Sequence, residues 1–204
     1  MLKLDARTKL LNAAIEVVRK QGYAATSVDE LCKKAGVTKG AFFHHFESKD
    51  ALAVAAANYW SETTGALFAG APYHAPADPL DRVLAYIDFR RELLRGTPAE
   101  FTCFAGTTVQ EAFATSDDIR AACKASIFGH AETLVADISE AMRRHKVKGD
   151  WTAQSLALHT QAVLQGAFIL AKATGDAAVA VDSANHLRRY VELLFNRSTK
   201  DNSK

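Results

Sequence analysis

Little in this sequence staples the chain, breaks it or ties it to a membrane. It has three cysteines in 204 residues, Cys32, Cys103 and Cys123, too few for a disulfide scaffold. No apolar run approaches the roughly 18 residues of a membrane span. The opening MLKLDARTKLL lacks the apolar core and cleavage site of a signal peptide, so a cytoplasmic location is expected. Strand signals are absent; AAVAVD at 177–182 is the one short candidate and reads as the entry to a helix. Three of the four prolines sit in GAPYHAPADP, residues 70–79, a single loop, which leaves long stretches free to be helical. There is no Cys-x-x-Cys and no His-x-x-x-His spacing, and His44–His45 are adjacent and cannot share a helix face, so neither a metal site nor another cofactor is expected. G-x-S-x-G, the P-loop and G-x-G-x-x-G are missing too, as are internal repeats and low-complexity segments.

What is present is helical periodicity. The pattern predicts an all-α chain of about nine helices. The first runs over 2–21, with Leu11, Ala14, Ile15 and Val18 at i, i+3, i+4 and i+7. Ser48 caps a helix running from Lys49 to about Ala69. Another spans about 80–95. Thr97-Pro98-Ala99-Glu100 reads as cap, N1 proline and N3 acid of a helix ending near Thr115. One long helix is expected from 117 to about 145, one over 152–174 and a last one over about 183–196. Charge is uneven: residues 1–49 carry nine Lys/Arg against five Asp/Glu, although the whole chain is only +2. A basic head on a slightly acidic body suits nucleic-acid binding through the head.

The stretch Thr26–Lys49, TSVDELCKKAGVTKGAFFHHFESK, organises the rest. Ser27 and Glu30 form a capping box. Val28, Leu31, Cys32 and Ala35 make one apolar stripe, and Gly36 provides the left-handed stop. Thr38 caps a second short helix, Lys39–His45, whose Phe42, with Phe46, faces inward. Two short helices around a Gly turn are a helix-turn-helix, the second shaped for a major groove. From Gly22 onward, G-Y-x-x-T-S-V-D-E-L-C-x-x-A-G-V-T-K-G-A-F-F-H-H-F-x-S-K resembles the DNA-binding signature of the TetR-type transcriptional regulators, with a nearly gap-free match from about Leu10 to Leu52. The remaining three quarters agree in length and helical layout.

The resemblance implies an all-α homodimer with a DNA-binding domain at 1–48 and an effector-binding and dimerisation domain at 49–198, followed by a polar tail at 199–204. It implies a repressor released from a palindromic double-stranded operator by a small-molecule effector or by thiol modification. Thr26, Ser27, Thr38, Lys39, Gly40, Ala41, Phe43, His44, His45 and Lys49 are the expected DNA contacts. Thr26 and Lys49 would meet phosphates, and the Ala41 methyl a thymine methyl. Phe43 departs from the family, where a Tyr is usual and its hydroxyl reaches a phosphate. In the body, Cys103 near a helix start is placed where a thiolate is favoured. Its surroundings, FTCFAGTTVQE, resemble a subgroup that senses electrophiles, chlorine oxidants or unsaturated acids. The other reading of Cys103 is a small buried apolar side chain. Cys123 falls about six residues, roughly 9 Å, from the point opposite Cys103 in the expected hairpin, too far for a disulfide without movement. Trp60, Phe89, Phe104, Thr107, Phe128 and Gln165 are the expected effector-pocket residues, drawn from a wider set with Phe68, Tyr86, Arg90, His159 and Phe168. Leu156, Val163, Gly166, Leu170, Leu187, Tyr190, Val191 and Leu194 are the expected dimer interface. Two rivals stand beside this reading: a helical enzyme with Cys103 as nucleophile, and a ligand-binding or interaction protein that no longer binds DNA.

Overall fold

The computed structural model describes residues 4–197; the polar tail expected at 199–204 and the expected first-helix start at Leu2 lie outside them. Every regular element among the described residues is helical. Short polar side chains decide where the helices begin. Asp5 accepts the Thr8 N–H at 2.7 Å ahead of α1 (Ala6–Gln21). Ser27 accepts the Glu30 N–H at 3.2 Å ahead of α2 (Val28–Ala35), while Glu30 takes the Ser27 N–H at 2.9 Å, closing the box. Thr38 caps α3 (Lys39–His45) through the Ala41 N–H, and Ser48 caps α4 (Lys49–Ala69) through the Ala51 N–H. Each cap satisfies a donor that a first helical turn leaves orphaned. Gly36 ends α2 at φ 65°, ψ 40°, and its N–H turns back to the Cys32 and Lys33 carbonyls, the left-handed stop that a β-carbon would strain.

The chain divides into two compact units. The first runs to Leu67 and takes in Thr102–Ile127. In it α1, α2 and α3 pack on one another, and α7 (Phe104–Ala112) packs on α1. Leu10, Leu11, Leu31, Phe42, Leu52, Phe104 and Ile119 form its fully buried centre. Each such side chain contributes about 1.5–3 kcal/mol by leaving water. The second unit takes in Phe68–Phe101 and the described residues from Phe128 on. It contains a 3-10 turn Pro72–His74, α5 (Pro79–Glu92), α6 (Pro98–Phe101), α9 (Val135–Arg144), α10 (Ala153–Thr174) and α11 (Ala178–Leu194). There α10 packs on α11, α9 and α6, and α5 on α11 and α9. Arg188 of α11 reaches both Asp88 of α5 and the buried Glu192, so that buried acid has its counter-ion. No helix among the described residues is long and apolar enough to cross a membrane.

Two expected helices are each broken in two, giving eleven α-helices among the described residues where about nine were expected. The helix expected to start between Pro98 and Thr102 and to end near Thr115 is instead two: it stops at Phe101 and restarts at Phe104, because Cys103 is extended (φ −78°, ψ 127°) and caps α7 with its own sulfur. Glu100 meanwhile accepts the Thr97 N–H and hydroxyl, as the sequence pattern requires. The long helix expected to 145 breaks after α8 (Asp117–Glu132), where the Thr133 hydroxyl donates to the His130 carbonyl at 2.7 Å and competes with the helical ladder. The last helix begins earlier than Ser183, at Ala178, whose N–H is taken by Asp176.

The expected dimer residues separate by burial. Leu156, Leu187 and Val191 are 3%, 2% and 0% exposed inside the second unit. They correct the sequence expectation, because their surface is already spent where α10, α11 and α5 meet and none is left for a partner. Leu170 and Tyr190 are about half exposed, and Val163, Gly166 and Leu194 are intermediate. Leu187→Ala should therefore destabilise the fold by about 3 kcal/mol, the usual cost of emptying a buried leucine site, with the denaturation midpoint falling equally at low and high protein concentration. A loss that disappears at high concentration would return Leu187 to the interface.

Candidate functional site

The turn joining α1 to α2 is held from several sides. The Lys49 ammonium donates to the Tyr23 carbonyl at 3.1 Å and the Thr26 carbonyl at 3.0 Å, and lies 4.2 Å from the Tyr23 ring centre. The Tyr23 hydroxyl donates to Asp50, and burial beside that carboxylate raises its pKa well above the ordinary tyrosine value. The Thr26 hydroxyl donates to the Gly22 carbonyl at 2.6 Å. From α7, Glu111 accepts the Ala24 N–H at 2.6 Å. Thr26 is 2% exposed, so the phosphate contact expected of it is corrected: its hydroxyl closes the turn and faces no solvent. Lys49 also differs from expectation. A lysine at a helix start opposes the helix dipole, and here the turn's carbonyls provide the compensation.

That turn sets the pose of α3. Phe42 (0% exposed) and Phe46 (5%) anchor it in the core, with their ring centres 6.0 Å apart. Thr38, Lys39, Gly40, Phe43, His44 and His45 are exposed and Ala41 is intermediate. Lys39 pairs with Asp29 at 2.9 Å, but both side chains are more than half exposed, so the pair is worth at most ~1 kcal/mol and yields readily to a phosphate. A β-carbon on Gly40 would meet only the Thr38 hydroxyl, at 3.8 Å; nothing inside the chain requires a glycine there. Ser27 is exposed, with its hydroxyl engaged by Glu30. The result is a short rigid helix with a cationic, imidazole-bearing and sterically slim outer face, the form that enters a major groove.

Behind the head, Cys103 accepts the Gly106 N–H through Sγ at 3.3 Å and is half-buried. Cys123 is fully buried, which, with Cys103 near it, pushes its thiol up to about 12; Cys32 is buried and raised as well. All three are free thiols. Phe104 and Thr107 belong to this first unit, as does Trp60, on whose ring Arg19 stacks at 5.1 Å while donating to the Thr102 carbonyl. Among the described residues no three His, Cys, Asp or Glu gather at metal-ligand distance.

Comparison with known proteins agrees with this geometry. The family of bacterial regulatory proteins of the tetR type matches residues 10–56, and the tetracyclin repressor-like C-terminal domain matches residues 79–187. The chain belongs to the TetR family. It is 28% identical over 148 residues to the transcriptional regulator AcuR of Cereibacter sphaeroides, a match covering 72% of this chain and 66% of that one. It is 36% identical over 56 residues to the HTH-type regulator YerO of Bacillus subtilis, covering 28% and 19%. The chain thus spans less than two thirds of the length of these curated relatives. Among solved structures, the TetR-family regulator CifR, crystallised with a 26-bp double-strand operator DNA, superposes with a TM-score of 0.75 at 16% identity, over 93% of this chain and 98% of that one. The family is one of transcriptional regulators, and the helix-turn-helix and the helical C-terminal body of this TetR-family chain are those of its fold.

The second unit of this TetR chain holds a polar knot among aromatic rings. Tyr86 is fully buried; its hydroxyl oxygen receives an N–H from Gln161 at 3.1 Å and one from Arg90 at 3.2 Å, and lies 2.9 Å from His130 Nε2. Arg90 also donates to His130 Nε2 at 3.2 Å. A guanidinium only donates, so Nε2 is the imidazole's acceptor. Phe68, Tyr73 and Phe89 stack around Tyr86, with centres 5.4–6.4 Å apart. Of the expected pocket residues, Phe89 is here, with Phe68, Tyr86, Arg90 and Phe168. Trp60, Phe104, Thr107 and Cys103 lie in the other unit, Phe128 is 49% exposed, and Gln165 is intermediate, one turn from the engaged Gln161. His130 and Gln161 are the members the sequence reading missed. A glutamine inside the apolar run ALHTQAVLQGAFIL was the available signal; for His130 there was none.

Burial, with Arg90 beside it, pushes His130 from its ordinary value of 6.5 down to about 3. Between those values the unfolded chain takes up a proton that the folded chain refuses, so this residue makes stability fall as pH drops from about 6.5 toward 3. His130→Gln should flatten that part of the profile. Urea midpoints at pH 7.5, 5.5 and 4.5 measure it: wild type and variant should converge as pH falls, and parallel curves would show that His130 is not held neutral.

Proposed function

We propose that this TetR-family chain is a homodimeric repressor of transcription that binds a palindromic operator through α3 and leaves it when an effector binds the body. The observation that carries the reading is the outer face of α3, with Lys39, Phe43, His44 and His45 exposed, Gly40 and Ala41 slim, and Phe42 and Phe46 locking the helix from behind. Residues 1–48 form the reading head and 49–198 the body. His44 reads base edges; Lys39, His45, Thr38 and Ser27 meet the backbone, joined by the one Lys49 donor that the turn leaves over. CifR, of the same fold, is bound to operator DNA in its crystal, which supports an operator as the partner here. Effector binding favours a body conformation that sets the two heads at the wrong spacing, a population shift.

An exposed apolar strip supports the dimer. On α10, Ile169 and Leu170 are half exposed; on α11, Leu193 is 73% and Tyr190 43% exposed. A β-carbon on Gly166 would meet nothing within 4 Å, so the residue that leaves most room for a close helix approach is small for no reason internal to the chain. We take Val163, Gly166, Ile169, Leu170, Tyr190, Leu193 and Leu194 as the face of an isologous contact. A second trigger, thiol modification, is favoured by one observation. Cys103 caps α7, and α7 carries Glu111, which holds the Ala24 N–H of the head's turn. An adduct that moved α7 would therefore disturb the turn that poses α3.

Gel shifts with the DNA upstream of the chain's own gene test the reading. Lys39→Ala should weaken binding to all sequences alike and lower the salt slope by about one unit. His44→Ala should change which bases are preferred. No shift at micromolar protein, or a His44→Ala effect uniform across sequences, would count against it. For assembly, Leu193→Glu should convert a dimer to a monomer in light scattering with unchanged helicity. A wild-type monomer at micromolar concentration would sink the dimer.

A further inference from the structure

We propose that Arg90 is the anchor for a small organic monocarboxylate with an apolar body, and that this class of acid is the effector; the second half rests on the repressor reading above. The cations of α5 and their partners carry the inference. Arg82 pairs with Asp137 at 2.7 Å and Arg91 with Asp88 at 3.1 Å. Asp88 is also claimed by Arg188, and Asp81 by Arg197. Arg90 alone among these arginines has no carboxylate within 4 Å in the described residues. Its one engaged nitrogen, Nη1, donates to two uncharged acceptors, Tyr86 Oη and His130 Nε2. Nε and Nη2 have no acceptor among the described residues.

The surroundings fit an anion and disfavour a cation. The guanidinium lies 5.3 Å from the Phe68 ring centre, and 5.9 Å from those of Tyr86 and Phe168. Ring faces offset part of the cost of a half-buried positive charge, but supply no negative charge. The neighbouring base, His130, accepts from Arg90 and is uncharged. The local balance is therefore one uncompensated positive charge inside an aromatic wall. A guanidinium presents two parallel N–H donors that match the two oxygens of a carboxylate, and Nε with Nη2 is such a pair. Phe68, Phe89, Tyr73 and Phe168 beside it suit an alkyl or aryl body. Gln161 and His130 hold Tyr86 Oη in place behind Arg90, so the fork's orientation is fixed before a ligand arrives.

Full-length protein is to be titrated calorimetrically with butyrate, hexanoate and benzoate, with the three matching amides, and with inorganic phosphate, while operator affinity is followed by gel shift. At least one acid should bind, its amide at least about tenfold more weakly, and phosphate no better than the amides. Arg90→Met should abolish acid binding, and Arg90→Lys, which keeps the charge but loses the fork, should weaken it about tenfold. Should Arg90→Met fail to fold, the acid–amide comparison and Arg90→Lys decide. Binding of no acid, equal binding of acid and amide, preference for phosphate, or undiminished binding by Arg90→Met or Arg90→Lys each overturns the site. An acid that binds through Arg90 yet leaves operator affinity unchanged keeps the site and removes its effector role. Release from DNA by a neutral amide in both wild type and Arg90→Met keeps the repressor reading and removes this one.

Discussion

The head of this protein depends on one ammonium group. Lys49 opens α4, where the helix dipole is positive and a lysine costs a few tenths of a kcal/mol or more. It is held there because the α1–α2 turn presents it with the Tyr23 and Thr26 carbonyls and the face of the Tyr23 ring. The Tyr23 carbonyl also accepts the Thr26 N–H at 3.1 Å, but the Thr26 carbonyl lies in a segment that is neither strand nor helix, and the Lys49 ammonium is the donor that meets it. The contact joins the start of α4 to the end of α1, across the three-helix head. The angle between α1 and α2 follows from the turn, and α3 follows from α2 through the Gly36 stop. A side chain that looked like a DNA contact is first a structural one, with two of its three donors spent on the turn.

What was legible in the sequence was local. Ser27 with Glu30, Thr38, Ser48 and Thr97 with Glu100 each act within four residues, and the structure contains every one of those bonds. The stripe Leu31–Cys32 and the pair Phe42–Phe46 are buried as their spacing demands. What escaped was decided at long range or by competition. Thr26 sits where a hydroxyl meets a phosphate in the family, but its orientation depends on the Gly22 carbonyl, which a linear pattern does not place. Cys103 was recognised as lying near a helix start, yet that its sulfur is the cap, and therefore that a helix must end just before it, follows only from the Gly106 N–H. Thr133 is an unremarkable residue in a helical run until its hydroxyl takes the His130 carbonyl.

The body was less legible for a related reason. Gln161 and Gln165 are four apart on one helix and carry the same chemistry, so periodicity places them on nearly the same face. Tyr86, 75 residues earlier, is what distinguishes them, by accepting from Gln161. Aromatic residues are scattered through the body as core material, and composition alone does not say which ones gather. The cluster forms where the ring of Phe68 meets α5 and His130, and it matters because an arginine lies within it. An aromatic cluster alone is core. One that encloses a guanidinium with no carboxylate within 4 Å among the described residues has a charge to be met.

The same logic separates two kinds of small residue. Gly36 is small because its backbone is left-handed, and that need is satisfied within the chain. Gly40 and Gly166 sit in ordinary helical backbone, where glycine costs about 1 kcal/mol relative to alanine; a β-carbon would enter open space at Gly166 and make one ordinary contact, with the Thr38 hydroxyl, at Gly40. Stability alone would favour a larger residue at both. Gly40 lies on the exposed face of α3 and Gly166 beside the exposed Ile169–Leu170 strip of α10, the two surfaces for which a partner is proposed. A surface glycine unexplained by the chain's own backbone or packing would be explained by something that comes close from outside: the proposed groove edge at Gly40, and the proposed second α10 at Gly166. On this argument Gly40→Ala and Gly166→Ala each leave the isolated fold as stable as before or slightly more so, and any cost they carry falls on association.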